Sequence, residues 1–109
     1  MRIGPHQYAL YAHMMPGSIR VGKGQLLRTG QAIGRLGNSG NSFAPHLHFA
    51  IQSRPHPFAR SVPYVFGRFK FEGSGTIDPA NTDRVEIKGP PRRERRVYPL
   101  AGAVATFGR

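Results

Sequence analysis

Six glycines, Gly22, Gly24, Gly30, Gly34, Gly37 and Gly40, interrupt one short stretch of this chain. Each costs a helix about 1 kcal/mol relative to alanine, so no helix survives that spacing. The apolar pieces left between them, "SIRV", "QLL" and "QAIGRL", are long enough only for short strands. Across 109 residues there are 14 Gly, 10 Pro and no Trp, which also suits short strands joined by turns. A chain of this length forms one core at most.

Two strands stand out. "QYALYAH" (Gln7–His13) puts Tyr8, Leu10 and Ala12 on one side and Ala9, Tyr11 and His13 on the other. "MPGS" follows it as a turn, with φ preset by Pro16. The Asn/Gly-rich loop "GNSGNS" (Gly37–Ser42) then leads to the clearest strand of all. There His46, His48, Ala50 and Gln52 share one face, and Leu47, Phe49 and Ile51 share the other, expected to face the core. "RPHPFARSVP" is a proline-rich connector, and "RFKFE" (Arg68–Glu72) alternates like one more strand. From Gly73 the apolar periodicity fades, and "KGPPRRERRVYP" cannot build a core. Residues 73–109 therefore read as a basic, Pro/Arg-rich, flexible and irregular tail.

The net charge is +11, and residues 1–71 contain no Asp or Glu; the five carboxylates are Glu72, Asp78, Asp83, Glu86 and Glu94. Such a field suits a polyanionic partner as well as it suits a soluble basic protein. Nucleic acid is not the expected partner, because a tract like Arg92–Arg96 is more often a solvated tail, and Tyr8, Tyr11, Phe43 and Phe49 come with no RNA-binding signature. Without cysteine there is no disulfide and no thiolate metal site, so any metal would rest on histidine and carboxylate. No segment approaches the roughly 20 apolar residues of a membrane span, and the N-terminus does not read as a signal peptide.

His46 and His48 carry the functional question. A lone histidine is usually a surface or hydrogen-bonded residue, whereas a His-x-His pair on a strand sends two imidazoles to one side. Neutral imidazole is the commonest metal ligand, so the pair suits a metal or acid–base site. The residues alone leave both readings open. Other chemistries leave no trace: there is no His-Glu-x-x-His helix, no phosphate loop, no Gly-x-Ser-x-Gly elbow and no early carboxylate pair.

"YAH", "PGSIRVGKGQLLRTGQAIGRLGNSGNSFAPHLHF" and, more weakly, "PYVF" resemble the C-terminal half of the lysostaphin-like zinc metalloendopeptidases, which cut peptide cross-links in bacterial peptidoglycan. The resemblance runs from about Tyr8 to Ile51, with an echo at 63–66. It implies a mainly β fold: a compact antiparallel β-structure of short strands, here an incomplete peptidase domain over residues 1–72. It implies that His48 is a Zn2+ ligand. It also implies that His13 and His46 are catalytic residues that activate the attacking water and steady the intermediate. Peptidoglycan peptides are then the expected partners, with an anionic cell-wall polymer favoured by the charge. The implied location is extracytoplasmic, in the periplasm, the cell envelope or the medium.

The family's other two ligands come from an upstream His-x-x-x-Asp, which this chain lacks. His6 and His56 are the spare imidazoles, and neither is followed by Asp four residues later. The expectation is a truncated or split endopeptidase, inactive or weakly active alone. The alternative is a non-catalytic module that binds cell wall or a partner.

Overall fold

The computed structural model describes residues 1–78 and 80–108; Pro79 and Arg109, both within the expected tail, lie outside the described residues. The architecture is mainly β, with antiparallel sheets and no helix among the described residues. None of them forms a helix long and apolar enough to cross a membrane. The chain divides into two compact units, Met1–Pro63 and Tyr64–Arg109.

The first unit holds one three-stranded antiparallel sheet in the order β1 (Arg2–Gly4), β2 (Gln7–Ala12), β3 (His48–Gln52). In the β2–β3 ladder Tyr8 faces Gln52, Leu10 faces Ala50 and Ala12 faces His48. Opposed residues share a face. Tyr11 and Phe49 are also opposed, and their rings pack at 5.1 Å. The buried centre is thin: Ala9 is 4% exposed and Gln52 6%. Gln52 satisfies its buried amide by donating from Nε2 to the Pro57 carbonyl at 2.8 Å.

Two sequence expectations are corrected here. β3 begins at His48 rather than at His46, which is held by an isolated bridge to Gly37. Leu47, expected in the core, remains 44% exposed. Between β2 and β3 the apolar pieces form no strands. They are tied by single links, Met15 N–H to Arg35 O at 2.9 Å and Arg20 N–H to Ile33 O at 3.0 Å. The glycines that exclude a helix also break these pieces too often for a ladder, and Leu26 and Ile19 stay exposed.

The second unit, Tyr64–Arg109, takes in the stretch 73–109 read above as an irregular tail, and strands run through it. Its 13-residue β4 (Phe66–Asp78) pairs antiparallel with β5 (Asn81–Lys88), β6 (Arg92–Val97) and β7 (Ala103–Thr106). Strand pairing uses the backbone, so an Arg-rich segment can join a ladder when its neighbour supplies the apolar surface. β4 does so with Phe69, 6% exposed, whose ring lies 5.5 Å from Phe107 and 6.3 Å from Phe66. Arg92 lies 4.0 Å over the Phe71 ring, its stem and guanidinium covering an aromatic face. Pro90 and Pro91 fall in the connection between β5 and β6, where no ladder bond needs their missing N–H.

Phe69→Ala removes the one deeply buried ring of this unit. It should cost about 3–5 kcal/mol in urea unfolding. A change below about 1 kcal/mol would mean that the aromatic cluster does not hold the sheet.

Candidate functional site

β2 ends at Ala12, and the next residue, His13, takes a left-handed backbone with φ 63°. That conformation is uncommon for a non-glycine residue and interrupts the alternation of the strand. His13, placed by simple alternation on the face opposite Ala12, has its ring 4.8 Å from that of His46 and 5.6 Å from that of His48. The two residues of the His-x-His pair thus meet through a third imidazole. His6 lies in the β1–β2 turn and His56 in the loop after β3. Among the described residues, neither has a ring contact with this cluster.

Residues 37–39 fix His13 in place. Gly37 bridges His46, and the His46 N–H donates to the Gly37 carbonyl at 3.2 Å. A Cβ on Gly37 would lie 2.4 Å from Met15 N and 2.6 Å from its Cα, so only glycine permits this approach. Ser39 grips the chain twice. Its Oγ–H donates to the Met14 carbonyl at 2.6 Å, and its own carbonyl lies 2.7 Å from His13 Nδ1. A carbonyl can only accept, so His13 carries a proton on Nδ1, and in the neutral ring Nε2 is the basic nitrogen.

His46 is arranged in the same way. Its Nδ1 lies 2.7 Å from the Ala44 carbonyl and 3.1 Å from Ser42 Oγ. Ser42 Oγ–H donates to the same Ala44 carbonyl at 3.0 Å. The Ala44 oxygen therefore accepts from both groups, and His46 also holds its proton on Nδ1. His48 is exposed, and among the described residues its ring makes no hydrogen bond. The cluster comprises two tautomer-fixed imidazoles and one with both nitrogens available. Sequence reasoning missed the backbone carbonyls of Ser39 and Ala44 and the hydroxyls of Ser39 and Ser42. Their only sequence signal is serine set among Gly, Asn and Pro in "GNSGNSFAP".

Among the described residues, no group of three or more His, Cys, Asp or Glu side chains could hold a metal ion. The first unit contains no carboxylate. A catalytic zinc needs three protein ligands converging at about 2.0–2.2 Å, and these residues do not fit that requirement.

The first unit is thus a short antiparallel sheet carrying a histidine cluster at the end of two strands. The model of Peptidase family M23 matches residues 1–60. The chain belongs to this lysostaphin-like family, in which metallopeptidases are general and peptides are the substrate class. The match stops short of the echo at 63–66. No curated protein and no solved structure matches the chain.

Gly37→Ala should destabilise the first unit by about 3 kcal/mol, at the upper end of the usual overpacking range, because the clash is with backbone. Ser39→Ala, which removes one hydrogen bond, should cost about 1 kcal/mol. It should also loosen the Nδ1–H tautomer of His13, read from imidazole nitrogen shifts in NMR. An unchanged tautomer would show that the Ser39 hydroxyl does not position this ring.

Proposed function

We propose that the first unit is one part of a peptidase site for peptidoglycan cross-links and that this chain by itself does not cleave them. The convergence of His13, His46 and His48 carries the reading, supported by the family match. His13 and His46 act as the proton-handling pair. Each has a neutral Nε2 that can accept a proton from water and return it to a leaving amine. The backbone carbonyls on Nδ1 keep that nitrogen from competing.

His48 is the imidazole left for a metal ligand, and zinc is the metal expected of the family. Two further donors must come from outside these residues, because those present do not complete a site. We place the site of action outside the cytoplasm, where peptidoglycan is found.

Zinc stoichiometry and affinity of the purified chain, beside His48→Ala, test this reading. Neither protein should bind zinc tightly, and neither should cleave peptidoglycan in a chelator-sensitive way. Adding a segment that carries His-x-x-x-Asp should give cleavage with wild type and none with His48→Ala. Tight stoichiometric zinc in the chain alone, or robust cleavage by it, would overturn the incomplete site. Complementation that survives His48→Ala would overturn the role of His48.

A further inference from the structure

The second unit carries an array of cations that the peptidase reading does not use. In the β4–β6 ladder Arg68 faces Arg95 and Lys70 faces Arg93. These two opposed pairs are adjacent on one face of the sheet, and all four residues are exposed. Opposed residues are about 5 Å apart and neighbours along a strand face about 7 Å apart, so the four charges start from a compact grid. Like charges set opposite each other weaken strand pairing. An anion lying across them turns that repulsion into attraction.

The carboxylates of this unit do little to relieve the array. Glu94 pairs with Arg92, and the register puts both on the other face, with Phe69 and Phe71. Glu86 pairs with Lys88. Among the described side chains Glu72 alone reaches the array, through Lys70 Nζ at 2.9 Å. Hydrogen bonds from Lys70 and then Thr106 hold its carboxyl below the usual range. Among the described residues, Arg68, Arg93 and Arg95 have no ion-pair partner.

We propose that this face binds a linear phosphodiester polymer without bases, a polyol phosphate of the cell wall. The cell-wall source rests on the peptidase reading; the anion chemistry does not. Three of the four cations are arginines, whose planar fork matches phosphate oxygens. Repeated charges in two parallel rows suit a chain of phosphates better than a single anion. A single-stranded nucleic acid would want rings to stack on; Phe69 and Phe71 are on the opposite face, and the ring of Phe66, in register with the array, is packed against Phe69 and Phe107 at 6.3 and 4.9 Å. The face also lacks the Asn and Gln that read base edges. In the first unit no strand register opposes two cations among the described residues, although it carries seven and no acid.

The test measures binding of the full chain to poly(glycerol phosphate) and to an oligo-dT with the same number of phosphates. Poly(glycerol phosphate) should bind at least as tightly and weaken about tenfold or more between 50 and 300 mM NaCl. R68Q/K70Q/R93Q/R95Q should lose about tenfold or more of that affinity at low salt, as a charge-driven site requires. The control R2Q/R20Q/R28Q/R35Q removes the same net charge from the first unit and should lose less than about threefold. R93Q/R95Q leaves β4 untouched and should give an intermediate loss with an equal or higher thermal midpoint, since it removes like-charge pairs.

Equal loss in the array variant and the control would overturn the site, leaving net charge as the cause. Tighter binding to oligo-dT would overturn the ligand class in favour of nucleic acid. Because the readout is binding, failure here is separable from failure of the peptidase reading, which is judged by cleavage and zinc.

Discussion

A methyl group at position 37 would sit 2.4 Å from the nitrogen of Met15. The histidine cluster depends on the space kept by its absence. With glycine there, the segment after the glycine-rich loops lies directly on the chain leaving β2, and Ser39 reaches both Met14 and His13. His46 follows because it bridges Gly37 itself. One backbone-to-backbone approach thus sets two of the three imidazoles. β3 brings the third through the pairing of His48 with Ala12. This is a way to build a precise site with little hydrophobic core. The rings are held by hydrogen bonds to main-chain oxygens, which are themselves held by short-range crossings.

The second unit solves a different problem by similar means. Its long central strand supplies both the aromatic surface that packs and the backbone that pairs. The Arg-rich β6 can then pair with it while contributing almost nothing apolar. That arrangement frees the outward side chains of β6 from any packing duty. Stability concerns alone would favour carboxylates opposite Arg68 and Lys70, since opposite charges across a ladder stabilise it. The observed pairs of cations instead oppose like charges across the ladder.

The two units differ in how legible they were. β2 and the second half of the His-x-His strand follow from alternation, and the register between them preserves it. The cluster of His13, His46 and His48 was expected only through resemblance. Period-2 reasoning placed His13 on the far face, because it carries no information about the left-handed turn that brings the ring back. The glycine-rich stretch was rightly denied a helix, but its pieces gave only single links. The least legible stretch is 73–109. Periodicity looks for apolar side chains, and β6 shows none because Arg92 covers Phe71 and β4 supplies the rings. Sequence pattern detects a strand by what it buries, and this one is held by its backbone.

The same hydrogen bonds orient two of the three neighbouring imidazoles. An imidazole binds metal through a nitrogen that carries no proton, and Nδ1 of His13 and of His46 is already committed to a carbonyl. That leaves each ring one basic nitrogen, the right inventory for moving a proton. A triad of ligands would need all three free nitrogens to converge on one point about 2 Å from each. Ring centroids at 4.8 and 5.6 Å around His13 give proximity, but among the described residues no such convergence exists. His48 differs in that, among the described residues, no hydrogen bond fixes either of its nitrogens. The geometry therefore distinguishes the three rings, two oriented by main-chain carbonyls and one left open. Under the proposed reading, the remaining donors arrive around His48 while the carbonyls keep hold of the other two rings.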